Sequence, residues 1–230
     1  MLSLTEIIGE ARRSLKGQYG LVIGTGIAYG LIVIVLSLLD STGTWAIARS
    51  VLDLSHIRIN NGGLFQLLWT GAFGLGWATF ILRVVRRDQP DFEQIFSGFR
   101  FWGKATLAYV LMVLRVLLWM LLLIIPGIIK AIAYSQYMFV MVDYPELSAN
   151  QAINRSEEIM YGHKWEYFFF SFLIVLLALL GVLTLFIGFF WIGPWIAASQ
   201  AKFYDEVHKD WLRRTGRWTE PTEPEEVTVA

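Results

Sequence analysis

The sequence predicts an all-α fold, a polytopic membrane helical bundle. It has six transmembrane helices arranged as three hairpin repeats, each preceded by a cytoplasmic amphipathic helix. Three observations predict it. Hydrophobic residues make up 56% of the chain and charged residues 17%, with a mean hydropathy of +0.53; soluble domains average about 45–50% and 25%. Six apolar stretches follow one another: Leu21–Leu39, Leu64–Leu82, Ala105–Ile125, Ile128–Val142, Tyr167–Phe186 and Phe189–Ala201. Lysine and arginine cluster on alternate connections, as in a chain with one fixed topology.

The first stretch reads as a retained span. Glu6 and Glu10 are mixed with Arg12, Arg13 and Lys16 before it, and no small-residue cleavage site follows. The segment before it reads as an amphipathic helix, with Ser3-x-x-Glu6 in capping-box form and Leu4, Ile8, Ala11 and Leu15 on one face. Gly20-x-x-x-Gly24 and Gly26-x-x-x-Gly30 in the first span, and Gly71, Gly74 and Gly76 in the second, offer surfaces on which the two helices pack. A long outer loop, Ser41–Gly63, joins them. Phe92, Ile95, Phe96 and Phe99 mark a second amphipathic helix, and Ser148-x-x-Gln151 caps a third. Such helices suit the headgroup region, apolar face down. The fourth and sixth stretches are short for spans, so they extend to Pro145 and Tyr204 or run tilted. Pro126-Gly127 and Gly193-Pro194 are tight turns at a membrane face or breaks within it.

Orientation follows from the basic residues. Arg12, Arg13 and Lys16 precede the first span; Arg83, Arg86, Arg87, Arg100 and Lys104 lie between the second and third; Lys202, Lys209, Arg213, Arg214 and Arg217 follow the last. The loop after the first span holds only Arg49 and Arg58. Both termini should therefore be cytoplasmic. Residues 1–212 form one membrane domain, with copies near 2–85, 88–145 and 148–207, and 213–230 form a disordered acidic tail. The copies rest on matches at an offset of 64: Ile95–Phe101 on Ile159–Trp165, and Ile132–Gln136 on Ile196–Gln200.

Arg115 is the chain's outlier, near the middle of Ala105–Ile125. A central arginine costs about 3 kcal/mol on insertion, and each Leu, Ile or Val returns about 0.3–0.6. The thirteen such residues of this run offset it by roughly 4–8 kcal/mol, so the helix inserts. An ionisable group at that depth faces the bundle interior or a wet cavity, and is a functional candidate by default. A hairpin turning at Pro126-Gly127 puts Met138 level with Arg115, within one turn of Ser135 and Gln136. Trp119, four residues on, is placed to stack on the guanidinium. Arg115, Trp119, Ser135 and Gln136 are thus candidate ligand-binding residues for an anionic lipid headgroup or solute. The competing account makes Arg115 a lock between helices, and Ser135-Gln136 and Ser199-Gln200 interhelical glue. The repeat places Leu179 at the position of Arg115, which argues against a symmetric arginine-lined pore.

Other polar residues have plainer readings. Lys130 lies close to the turn and snorkels to the outer interface. Glu166, beside Lys164 and His163, is interfacial, with a membrane-embedded proton site as the alternative. Glu157-Glu158 and Asp205-Glu206 are adjacent pairs and read as solvated charge. There is no cysteine, so disulfides and thiolate chemistry are excluded. His56, His163 and His208 lack metal-ligand spacing, and no phosphate loop or nucleophile elbow occurs. The expectation is a non-enzyme without cofactor, metal or nucleic-acid partner.

Several motifs carry a resemblance. They are Phe92-x-x-Ile95-Phe96-Ser97-Gly98-Phe99; Ile124-Ile125-Pro126-Gly127-Ile128-Ile129-Lys130 with Tyr134-Ser135; and Met160-x-Gly162-His163-Lys164-Trp165. With Glu10-Ala11-Arg12-x-x-Leu15-Lys16-Gly17 and Pro194–Tyr204, they resemble a bacterial integral-membrane family known as domain-of-unknown-function family 975, over residues 4 to 207. The architecture is more loosely similar to the membrane portion of bacterial glycerophosphodiester phosphodiesterases. The resemblance implies a multipass membrane fold and no particular activity. Two functional expectations follow. The chain binds or moves an anionic lipid or small amphiphile, with membrane lipids as partners. Alternatively it is a structural or regulatory subunit for other membrane proteins or for a second copy of itself.

Overall fold

The computed structural model describes residues 3–41, 62–183 and 188–218, and every regular element among them is helical. Nearly all of the expected outer loop, and the tail from residue 219, lie outside the described residues. The order is α1 (Leu4–Ser14), α2 (Tyr19–Ser41), α3 (Gly62–Arg86), a 3₁₀ helix (Phe92–Phe101), α4 (Trp102–Leu122), α5 (Ile124–Tyr134), α6 (Tyr137–Asp143), α7 (Ala149–Ile159), α8 (Lys164–Leu183) and α9 (Phe189–Arg214). Four segments are long and apolar enough to cross a membrane: Tyr19–Leu36, Phe92–Leu122, Ile124–Asp143 and Lys164–Leu183. The expected second and sixth stretches fall in α3 and α9, outside these four among the described residues.

Helices α1 and α7 begin as their sequences dictate. Ser3 and Ser148 each accept the backbone N–H of the residue three on, while Glu6 and Gln151 reach back to the cap N–H. Both helices are followed by a glycine in the left-handed region, Gly17 at φ 85° and Gly162 at φ 92°, a conformation glycine adopts without penalty. Their apolar faces turn into the protein. Ile7 and Ala11 of α1 with Leu15 at its C-cap, and Ala149, Ala152, Ile153 and Ile159 of α7, are buried in the same hydrophobic core. The expected headgroup contact is thus replaced by packing on the bundle. Ser148→Ala should cost about 1 kcal/mol, typical of a lost N-cap; an unchanged melting temperature in detergent would contradict this.

The expected second amphipathic helix is instead a 3₁₀ helix. Its buried positions, Ile95 and Gly98, are three apart, as a threefold repeat requires. It lies hard against α3: a Cβ on Gly76 would stand 1.8 Å from the Ile95 carbonyl oxygen, and one on Gly98 2.0 Å from that of Ala72. The glycines of α3 therefore serve the 3₁₀ helix, α4 and α6. Gly71 faces the Ala105 backbone and Gly74 the Met138 side chain. Among the described residues the α2 glycines are little used in packing: a Cβ on Gly20, Gly24 or Gly30 would meet nothing, and one on Gly26 would touch Trp77.

The hairpin turn is one extended residue, Leu123 (φ −158°, ψ 136°), between α4 and α5. Pro126 lies in the first turn of α5, where its missing N–H costs little. Gly127 packs on Met120. A second interruption at Ser135-Gln136 separates α5 from α6. Pro194 does not break α9, which runs through it.

At one end of α3, α6 and α9 a charged clasp joins the three helices. Arg86 donates to both oxygens of Asp143 (2.6 and 2.8 Å) and, through Nε and Nη2, to Asp205 (3.1 and 2.7 Å). The Tyr204 hydroxyl donates to Asp143 at 2.9 Å. Asp205 was expected to be solvated, but its side chain is only 11% exposed. Glu206, equally covered at 11% and also expected to be solvated, pairs with Lys209 at 3.0 Å on another face of the helix.

Candidate functional site

Helix α4 carries Arg115 and Trp119, and α5 returns Lys130 and Tyr134 beside them. Against this hairpin lies α7, whose Asn150, Asn154 and Glu157 fall at i, i+4 and i+7 and so share one face. Arg115 donates from Nη1 to Asn154 Oδ1 at 2.8 Å and from Nη2 to Asn150 Oδ1. Its guanidinium carbon lies 5.8 Å from the centre of the Tyr134 ring. The Lys130 ammonium meets Glu157 Oε1 at 2.5 Å and sits over the rings of Trp119 (5.2 Å) and Tyr134 (5.7 Å).

Two cations therefore share the Tyr134 ring and differ in how they are balanced. Lys130 faces a carboxylate. Arg115 faces two neutral amides and, among the described residues, no carboxylate within ion-pair distance. Arg115, Lys130 and Glu157 together carry one net positive charge, centred on a guanidinium that is half-buried at the edge of the bundle.

The surroundings of this charge are apolar and outward-facing. Leu121 is 87% exposed, and Leu117, Leu118, Leu122, Ile124 and Ile125 are all more than half exposed. So large an apolar patch is costly in water and natural in hydrocarbon. Arg115 lies six residues below Leu121 along α4, about 9 Å at the helical rise.

The four sequence candidates divide. Arg115 is central, but its partners are asparagines of α7, not Ser135 or Gln136. Trp119 belongs to the same cluster and holds Lys130 instead of Arg115. Ser135 and Gln136 stitch the α5–α6 interruption to α7. Ser135 Oγ donates to the Ile132 carbonyl (2.8 Å), Gln136 Nε2 donates to Ser135 Oγ (2.9 Å), and the Gln136 backbone N–H donates to Ser156 Oγ (3.2 Å). Ser156 Oγ donates in turn to the Ala133 carbonyl at 2.9 Å. Gln136 Oε1 is buried without a hydrogen-bond partner among the described residues.

Sequence reasoning assigned Lys130 to the outer interface and Glu157 to solvent, and it did not weigh Asn150, Asn154 or Tyr134 beside Arg115. The available signal was the polar stripe Asn150-x-x-x-Asn154-x-x-Glu157 on an otherwise apolar-faced helix. Glu158 pairs with Arg155 at 3.0 Å. Glu166 accepts from His163 Nδ1 at 3.1 Å, while the other ring nitrogen faces Asp210 at 2.9 Å. Asp210, outside the apolar segments, is held below the usual carboxylate range: burial acts upward, and His163 and Arg214 outweigh it.

Residues 116–210 match the model of a family described as "Protein of unknown function (DUF975)", which supports the resemblance carried by the sequence motifs. The match takes in all of the cluster except Arg115, which stands one residue before its start. No curated protein and no solved structure matches the chain, so the looser likeness to phosphodiesterase membrane domains gains no support.

Proposed function

We propose that this chain is a non-enzymatic multipass membrane protein that binds or moves an anionic lipid or small amphiphile, with Arg115 holding the anionic group. One observation carries the reading: the hydrogen-bond partners of the Arg115 guanidinium are neutral amides, not carboxylates, and it stands beside an outward-facing apolar tip. A carboxylate or phosphate complements a guanidinium through paired, charge-assisted hydrogen bonds. Its hydrocarbon lies naturally along Leu117, Leu118 and Leu121. Trp119 and Tyr134 provide aromatic walls, and Asn150 and Asn154 hold the guanidinium in place. The same proposal includes six spans as three hairpins in a bacterial inner membrane, with both termini cytoplasmic.

A second reading has its own support. Asn150 and Asn154 already occupy both terminal nitrogens of Arg115, as a lock between α4 and α7 requires, and the open glycine face of α2 offers a surface to another membrane protein.

Thermal unfolding in detergent separates the two. A ligand bound only by the folded state stabilises it by about 2.7 kcal/mol at a hundredfold excess over Kd. Anionic phospholipid should therefore raise the melting temperature of the wild type above the effect of zwitterionic lipid, and Arg115→Leu should abolish that difference. A variant with a lower basal melting temperature and an unchanged anionic increment would establish the lock and refute the binding site.

A further inference from the structure

The clasp at the end of α3, α6 and α9 holds a group the packing alone does not require, His208. Its side chain is 13% exposed, with Nδ1 3.6 Å from Asp143 Oδ2 and Nε2 2.8 Å from the Tyr144 hydroxyl. Aromatic rings close both sides: Tyr204 stacks at 5.3 Å and Trp211 at 5.9 Å, within 12° and 15° of parallel. The charged groups around it come from every neighbouring element. They are Arg86 of α3, Asp143 of α6, Arg155 of α7 and Asp205 of α9. Tyr144 and Tyr204 are its titratable neighbours, and Arg217 lies beyond Trp211, 5.3 Å from that ring.

Arg86 with Asp143 and Asp205 leaves one negative charge when His208 is neutral, and none when it is protonated. We propose that Arg86, Asp143, Asp205 and His208 form a single-proton binding site. In it a proton taken up on His208 pairs the imidazolium with Asp143 and loosens the hold of Arg86 and Tyr204 on that carboxylate. Asp143 Oδ2 is the shared atom: it accepts from Arg86 Nη2 and from Tyr204, and it is the oxygen nearest His208. Proton uptake therefore competes directly with the bonds that join α6 to α3 and α9. The packing of these helices responds to proton activity at that end of the bundle.

The sign of the response follows. Burial pushes the imidazole below its ordinary value of 6.5, Arg86 and Arg155 act in the same direction, and Asp143 and Asp205 oppose them. The unfolded chain then binds the proton more readily than the folded one. Stability is full above the ordinary imidazole value and falls as pH drops through it towards the folded-state value. By reciprocity, a clasp that disfavours the proton is weakened by it.

The test uses the full chain in detergent micelles, with histidine labelled for NMR and melting temperature followed from pH 8 to the acid limit of folding. His208 should titrate at a lower pH in the folded chain than in the denatured chain. Asp143→Asn should lower the midpoint further. The wild-type melting temperature should fall on acidification more steeply than that of His208→Gln. Equal midpoints in folded and denatured chain would overturn the proposal, as would identical acid dependence in wild type and His208→Gln. If Asp143→Asn does not fold, the comparison of wild type with His208→Gln decides.

Discussion

Gly76→Ala should be among the most damaging single substitutions in the chain. The added Cβ would stand 1.8 Å from the Ile95 oxygen and 2.6 Å from its carbon. Both obstacles are backbone, so no rotamer change relieves them, and α3 must separate from the 3₁₀ helix by more than an ångström. Overpacking of this kind usually costs about 1–3 kcal/mol. The rigidity of both partners places this site at or above the upper end. Gly98→Ala should behave alike, since its Cβ meets the Ala72 oxygen from the other side. Gly103→Ala is the control: nothing lies near its Cβ, and alanine is the better helix former. Thermal unfolding of the three variants checks the prediction, and a Gly76→Ala protein as stable as Gly103→Ala would refute the close approach.

The second large effect is expected at Arg86. Arg86→Met removes the one cation that, among the described residues, is bonded to both Asp143 and Asp205, and leaves two carboxylates, 13% and 11% exposed. Breaking a buried pair costs about 3–5 kcal/mol. Because the arginine side chain itself is 37% exposed, solvent screening reduces this to about 2–3 kcal/mol. Asp205→Asn in the Arg86→Met background should recover part of the loss, giving a coupling energy well above the few tenths expected of independent sites. Additive effects of the two substitutions would show that the clasp contributes no more than a surface pair.

The features read correctly from sequence are those set within a few residues. The Ser3 and Ser148 caps, the apolar helices and the anomaly of Arg115 all depend on local spacing. What was missed depends on where segments meet. Counting residues from Pro126-Gly127 puts Met138 level with Arg115 and Ser135-Gln136 within one turn of it, but the turn is at Leu123 and a second interruption at Ser135-Gln136 changes the path. Helix α7 then fills the place opposite Arg115 with Asn150 and Asn154. The offset of 64 suggested equivalent units, yet Gly98 lies within a 3₁₀ helix against the α3 backbone, whereas Gly162 makes a left-handed turn. The same glycine solves two different steric problems. Asp205 shows the remaining gap: adjacency to Glu206 tells that the two face different ways, and only the fold tells which of them meets Arg86.

The most direct test of the central claim is native mass spectrometry of the protein released from nanodiscs that contain both anionic and zwitterionic phospholipid, with wild type and Arg115→Leu compared. The account predicts that the wild type retains an anionic lipid or amphiphile and that Arg115→Leu loses it while remaining folded. Equal retention by the two proteins, or none by either, would contradict it and leave Arg115 as the bolt between α4 and α7.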